Sequence, residues 1–344
     1  MPNKLDSTRT LFIVKKRVSM SYGEPFGLLY SAQFVSRMLQ KNYISSSVAI
    51  VIDANDIDRE VTRFDPKTVV LEALWVTPEK LRELMNLDRH KNRNWVIRIH
   101  SKPTFLAMEG CAMKWLGEFV NMTDEFPNLI LAANNHTTVN ELSRVFSFQF
   151  EYLPNYYHNH NVQADLKVRG SSVVSIGCFG AQRPLKNTLT QALAAIIYAN
   201  NVGKRLEFYV NTDRVEQHGE TVLKNVRETF KFQADHRLVE VTWKSHDEFL
   251  KLVAMMDLGM QVSLTESFNI VTADFVSVGV PIVVSDEITW MPWLNKAPTT
   301  DAIKIADKLQ SLYDLPRFVV RSMARRNLRK YNEVSQTRWI TFVT

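Results

Sequence analysis

Cysteine is almost absent from the 344 residues: Cys111 and Cys178 are the only two, separated by a domain's length of sequence. Neither has a CxxC partner or a histidine at metal spacing, which argues against a structural zinc site and leaves two reduced, buried thiols as the expectation. No apolar run approaches the roughly 20 residues needed to cross a bilayer. The opening MPNKLDSTRTLFIVKKR lacks a signal peptide's apolar core and cleavage site, so a cytoplasmic protein with no integral membrane association is expected. A GxGxxG fingerprint, a repeat of solenoid length and low-complexity segments are also missing, which removes the dinucleotide-binding signature and repeat architectures.

What remains is a globular composition, 45% hydrophobic and 23% charged, in a chain long enough for two ordinary domains. The formal net charge of +6 permits an anionic partner: a nucleotide, a nucleic acid or an acidic membrane surface.

Short apolar runs alternate with helical patterns along the whole chain, the signature of parallel α/β architecture. Strands are expected at residues 10–14, 48–52, 68–76, 95–99, 129–132 and 150–155, with helices from Leu28, at 78–87 and over 105–119. The last of these carries Met108, Cys111, Ala112, Trp115 and Leu116 as a core stripe. DANDIDRE, after the second strand, reads as a polar segment, and Thr137 or Thr138 with Glu141 as a capping box. The first strand leads into a loop in which Gly23 and Gly27 flank Pro25, where the backbone could approach a substrate or simply connect strand to helix. The fourth strand delivers His100, Ser101 and Lys102 at its carboxyl end, the edge at which open α/β sheets bind ligands, although a lone histidine there also has a structural reading. Asn134, Asn135 and His136 share that placement and that ambiguity.

A polar, aperiodic stretch beginning YYHNHNVQAD marks a domain boundary; His158 and His160 lie in it without a cysteine or carboxylate cluster, and no metal site is expected. Beyond it the alternation restarts. Val173 to Ile176 is a strand, followed by GCFGAQRPLKN, whose Gly177 and Gly180 open the backbone while Arg183 and Lys186 place two cations before an alanine-rich helix. Fixed amides plus point charges suit a diphosphate, and a solvated basic turn is the plain alternative. A strand also ends at Trp243.

The stretch Gln261 to Asp286, QVSLTESFNIVTADFVSVGVPIVVSD, reads as strand, loop, helix, turn, strand. Its carboxylates Glu266 and Asp274 lie eight residues apart. At the mouth of such a unit the helix N-terminus favours an anion, Glu266 could bond sugar hydroxyls and Asp274 could reach a ribose. On spacing alone, Glu266 as a capping carboxylate and Asp274 as a solvated helix residue fit as well. The tail over Arg317 to Lys330 is strongly basic, with apolar positions to dock it.

Two segments carry a family resemblance. Gly177 to Asn187 looks like the phosphate loop, and Thr265 to Ser285 like the paired-acid motif, of GT-B retaining nucleotide-sugar glycosyltransferases, family four in particular; Pro154-Asn155 resembles the end of that family's N-terminal domain. The resemblance covers about half the chain, with the elements in order. It implies two Rossmann-like α/β domains facing a cleft: an acceptor-side domain over 1–156, a linker over 157–170, a nucleotide-sugar domain over 171–315, and a helical tail over 316–344 packing back toward the first domain. It further implies no cofactor beyond a UDP- or GDP-sugar co-substrate and no metal. Arg183, Lys186 and Gly180 would hold the donor diphosphate, Glu266 would touch the sugar, and Asp274 the ribose. The amides of Phe268, Asn269 and Ile270 would meet sugar or phosphate, and Trp243 would stand where the base binds. On the acceptor side stand Gly23, Gly27 and Lys102, with His100 as a candidate catalytic group. Asp274 replaces the usual glutamate and Asn269 the usual glycine, which shortens one reach and narrows the sugar pocket. Small phage-type enzymes of this fold glycosylate hydroxymethylated pyrimidines, and the basic stretches 15–17, 89–93 and 317–330 extend the expectation to double-stranded DNA bearing 5-hydroxymethylcytosine as acceptor. The alternatives are a lipid-linked or polysaccharide acceptor, or a protein that binds a nucleotide sugar or nucleic acid without catalysis.

Overall fold

A computed structural model describes residues 9–16, 26–158 and 170–344. Contacts divide the chain into two units, one holding residues up to His158 together with Tyr331–Thr344, the other running up to Lys330.

The first unit is built as β1 (Thr10–Lys15), α1 (Phe26–Lys41), β2 (Ser46–Val51), α2 (Asp56–Phe64), β3 (Thr68–Glu72), α3 (Pro78–Asn86), β4 (Asn94–Ile99), α4 (Pro103–Leu106), α5 (Ala112–Glu125), β5 (Leu129–Ala133), α6 (His136–Phe146) and β6 (Glu151–Tyr152). Its six strands pair in parallel in the order β2-β1-β3-β4-β5-β6. Strands covered on both faces need unbroken apolar runs, and Leu11–Val14, Val69–Leu71 and Trp95–Ile97 supply them, each side chain 2% exposed or less.

The second unit follows as β7 (Val173–Cys178), a 3₁₀ turn (Pro184–Lys186), α7 (Thr188–Asn201), β8 (Arg205–Asn211), α8 (Gly219–Lys231), β9 (His236–Val241), α9 (His246–Ala254), β10 (Leu258–Gln261), α10 (Ile270–Val278), β11 (Ile282–Val284), a second 3₁₀ turn (Trp293–Asn295), α11 (Ala302–Asp314) and the first part of α12 (Arg317–Val343), whose residues from Tyr331 on belong to the first unit. The strand order β11-β10-β7-β8-β9, all parallel, reverses direction between β7 and β10. That reversal opens a crevice at the carboxyl ends of these two strands, where open α/β sheets take ligands. Helix α10 is apolar on nearly every side because it packs between β10, β11 and α9, and it stops at Gly279.

Several local expectations are corrected. DANDIDRE is no plain polar segment: Ile57 and Val61, four apart, bury one face of α2 beneath its charges. The helix expected over 105–119 is interrupted at Gly110, a poor helix former, leaving Cys111 and Met108 exposed rather than in a core stripe. The capping box at Thr137 is replaced by Asn135, whose Oδ1 accepts from the amides of Thr137 and Thr138 at 3.0 and 3.2 Å. The strand expected to reach Val76 ends at Glu72, because Ala73 turns to φ +73°. Only Glu151–Tyr152 of the sixth predicted strand pair with the sheet.

Candidate donor-side site in the second unit

Parallel pairing brings the loops after β7 and β10 side by side, and their charged residues meet. Lys186 Nζ forms an ion pair with Glu266 Oε1, and the Leu264 amide donates to Leu185 O at 2.9 Å. Arg183 Nη1 reaches Glu216 Oε2 at 3.2 Å. Side-chain exposures of 15% for Lys186 and 10% for Glu266 put this pair between surface and core. Burial alone would raise the Glu266 pKa, but Lys186 and Arg183 outweigh it and hold the carboxyl below its usual range, so it stays ionised.

Buried amides fix the two loops to each other. Gln261 Nε2 donates to Phe179 O at 2.7 Å, while Gln261 Oε1 accepts from Asn269 Nδ2 at 2.8 Å. From α7, Gln191 Oε1 accepts from the Val262 amide at 2.8 Å and Gln191 Nε2 donates to Lys186 O at 2.7 Å. Gly180 adopts φ +122°, a conformation that a side chain would strain, and its N–H donates to Asn211 Oδ1 at 3.0 Å.

Asn269 is the N-cap of α10 at φ +62°, the left-handed region that glycine takes most easily and asparagine better than other residues. Its Oδ1 accepts from the Thr272 amide at 2.8 Å. The helix N-terminus therefore keeps one of its amides on its own cap, and the amide of Ile270 opens the first turn. Phe268 packs its buried ring on Trp290, centroids 5.6 Å apart, and its carbonyl accepts from Trp290 Nε1 at 2.8 Å.

Asp274 is not a solvated helix residue: it is 2% exposed, and His246 Nε2, at the start of α9, donates to its Oδ1 at 2.7 Å. The strand expected to end at Trp243 stops at Val241, and Trp243 lies in the loop between β9 and α9, with Arg214 over its ring at 5.2 Å and its amide donating to Asp213 Oδ2 at 2.6 Å.

The acceptor-side candidates belong to the first unit. His100 lies at the carboxyl end of β4 and its Nε2–H donates to Glu72 Oε2, while Asn134 Nδ2 donates to His100 Nδ1 at 3.1 Å. Both ring nitrogens are thus engaged, which fixes a neutral tautomer. Arg98 Nη1 binds both Glu72 oxygens at 2.9 and 3.0 Å, its Nε donates to Leu153 O at 2.9 Å and its Nη2 to Asn155 Oδ1 at 2.6 Å. Burial and the neighbouring Arg98 charge push the His100 pKa down despite the Glu72 carboxylate. Lys102 is buried ahead of α4. Gly27 lies inside the first turn of α1 rather than in the loop before it, and among the described residues nothing beyond its own helix backbone and chain neighbours comes within 4 Å of where its side chain would begin. Gly23 falls outside the described residues, as does His160.

Glu216, Arg214, His246, Gln261 and Gln191 were not singled out from sequence. Gln191 and Gln261 did carry a signal, each an amide beside apolar residues of a buried helix or strand; the others gain meaning only from long-range partners.

No family model and no curated protein sequence matches this chain. Solved structures do. The N-terminal domain of Candida albicans trehalose-6-phosphate phosphatase superposes with TM-score 0.69 at 10% identity, covering 100% of this chain and 98% of that one. An E. coli trehalose-6-phosphate structure bound with UDP-2-fluoro glucose gives 0.64 at 11% identity, over 97% and 98%. Anabaena HepE in complex with UDP and glucose gives 0.62 at 12% identity, over 95% and 98%. At such identities the likeness speaks for architecture, and with two parallel-sheet α/β units over the full length of these structures, the chain has the GT-B fold.

Proposed function

We propose that this protein is a glycosyltransferase that moves a sugar from a nucleoside-diphosphate sugar to an acceptor hydroxyl with retention, UDP-sugars being the first donors to test. The observation that carries the reading is the Lys186–Glu266 pair at the β7/β10 crevice, with Arg183 on one side and the N-terminus of α10 on the other. Two buried polar atoms in the same loops, the Thr265 hydroxyl and Gln182 Oε1, have no hydrogen-bond partner among the described residues, as expected where a polar ligand completes the bonding. Two of the structures that share the fold hold UDP or a UDP-sugar analogue.

The chemistry follows from the charges. Breaking the bond between the anomeric carbon and the diphosphate leaves negative charge on the departing oxygen, which Lys186, Arg183 and the helix amides stabilise. The acceptor oxygen bonds to the anomeric carbon on the same face, and its proton passes to the leaving phosphate, so no separate base is required. Once phosphate draws Lys186 away, Glu266 is released to accept hydrogen bonds from sugar hydroxyls, and Asp274 with His246 stands near the position assigned to the ribose. Of the acceptor-side candidates, His100 is braced by the buried Glu72–Arg98 pair.

We infer the acceptor from charge. Of the basic stretches, 89–93 is largely neutralised, Arg89 pairing with Asp58 and Arg93 with Asp65. Exposed Lys15 and Lys16, and the exposed Arg321, Arg326, Arg329 and Lys330 of α12, have no ion pair among the described residues and are the remaining support for duplex DNA carrying 5-hydroxymethylcytosine; Arg17 falls outside the described residues. Mass spectrometry of hydroxymethylated DNA, and of lipid-linked and polysaccharide acceptors, after incubation with UDP- and GDP-sugars tests both levels. Sugar added to any of them supports the transferase; no turnover of any donor, even by hydrolysis, defeats it. Duplex binding that is absent at low salt removes DNA as the acceptor.

A further inference from the structure

The loop after β8 has no role in the donor reading, yet it is hydrogen-bonded back onto the loop after β7. The Gln182 amide donates to Arg214 O at 2.9 Å, and the Glu216 amide donates back to Gln182 O at 2.8 Å, closing a bridge of strand type between Gln182 and Val215. At Gly219 the approach is so close that a side-chain carbon would lie 2.0 Å from Gln182 O. On this frame the Glu216 carboxylate stands between two guanidinium groups. Its Oε1 takes Arg214 Nε at 2.8 Å, and its Oε2 takes Arg183 Nη1 at 3.2 Å. Arg214 in turn lies 5.2 Å over the Trp243 ring. Side-chain exposures of 15% for Glu216, 18% for Arg183 and 28% for Arg214 keep the series partly out of water, where charge-assisted bonds keep their direction.

We propose that Glu216 is a positioning residue that couples two ends of the donor: through Arg214 it sets the Trp243 wall for the base, and through Arg183 it sets the arm for the diphosphate. This rests on the nucleotide-sugar reading above. A carboxylate that binds one arginine through each oxygen transmits a displacement of either one to the other, so an undisturbed indole wall holds Arg183 in its phosphate-binding position. Glu216 itself touches no donor atom; it acts through the arginines. A brace with a merely structural role would influence stability but would not link the base end to the phosphate end.

Inorganic pyrophosphate separates these cases, because it has no base and cannot touch Trp243. The experiment is calorimetric titration of UDP and of pyrophosphate into the full chain and its variants. Trp243→Ala is expected to weaken pyrophosphate about fivefold as well as UDP, whereas Trp243→Phe, which keeps an aromatic face for Arg214, recovers most of the loss. In the Glu216→Gln or Arg214→Met background, the Trp243→Ala change is expected to leave pyrophosphate affinity unmoved, since the link is already cut. Two separate link-breaking variants guard against one of them failing to fold. If Trp243→Ala weakens UDP but not pyrophosphate, or weakens pyrophosphate equally with Glu216→Gln present, the coupling is overturned while the donor site stands. Should the wild-type protein bind neither UDP nor pyrophosphate, both the coupling and the donor reading fall.

Discussion

Two charged clusters at strand ends, one in each unit, look alike in composition and differ in what they can do. In the first unit, Glu72 and Arg98 are fully buried and hydrogen-bonded to His100, Asn155 and a backbone carbonyl. In the second, Lys186 and Glu266 form their pair at a crevice mouth, partly exposed. A saturated network has no capacity for a ligand and every reason to stay intact, because breaking it strands a charge in low dielectric. A half-open pair can exchange one partner for a phosphate at little cost. On the proposed function, chemistry falls to the second cluster and architecture to the first, with His100 held between them in type: sited at a strand end, but with both ring nitrogens occupied.

The largest effect is expected in the first unit. Arg98→Met leaves Glu72 buried without its guanidinium and should destabilise the protein by about 3–5 kcal/mol in denaturant unfolding. A loss below about 1 kcal/mol, within the range of an ordinary surface pair, would place Arg98 in water and dissolve the contrast. Lys186→Ala should do the reverse, lowering kcat/KM for the sugar donor roughly 100-fold, the scale of removing one group that stabilises a leaving oxyanion, with a smaller effect on stability.

How far could this be read from sequence? The parallel strands were, since Leu11–Val14 or Ile282–Val284 has no other stable environment than a sheet covered on both faces. The loops bearing Arg183, Lys186 and Glu266 were also legible, as cations and a carboxylate beside helix starts. Helix α2 was not, except in hindsight: Ile57, Val61 and Phe64 do stand at i, i+4 and i+7, but the six polar and charged residues among them make the stretch look like a solvated loop. Nor were the partners: Glu216 lies 33 residues from Arg183, Glu72 28 residues from His100, and His246 28 from Asp274. Such pairs are set by sheet topology, which local spacing does not encode.

Titration gives an intermediate effect that also separates the clusters. The His100 pKa is lowered in the folded state, so below its ordinary value near ~6.5 the unfolded chain binds the proton more readily and stability falls as pH drops. Glu72 and Glu266, both depressed, lose their contribution only as pH falls through their folded values, below the ordinary 4.5. Unfolding free energies between about pH 7 and 5 should thus slope in the wild type and slope less steeply in His100→Gln, where His158, its pKa also lowered by burial and by Lys41 and Arg37, still contributes; an equal slope in both would remove His100 as a cause.

The smallest effect concerns the helix beside the crevice. Asn269→Ala should cost about 1–2 kcal/mol, for the lost cap and for a side chain held at positive φ. Asn269→Gly, which relieves the backbone, should cost only about a few tenths. Equal losses in thermal unfolding would mean that the cap rather than the backbone geometry selects asparagine.

The central claim is that a donor phosphate takes Lys186 from Glu266, and calorimetric titration of UDP into the wild type and Lys186→Ala tests it most directly. Saturable binding by the wild type is expected, with affinity weakened by about 30-fold or more in the variant, as for loss of a charge-assisted contact. Equal affinity in the two proteins, or no binding by the wild type, would contradict it.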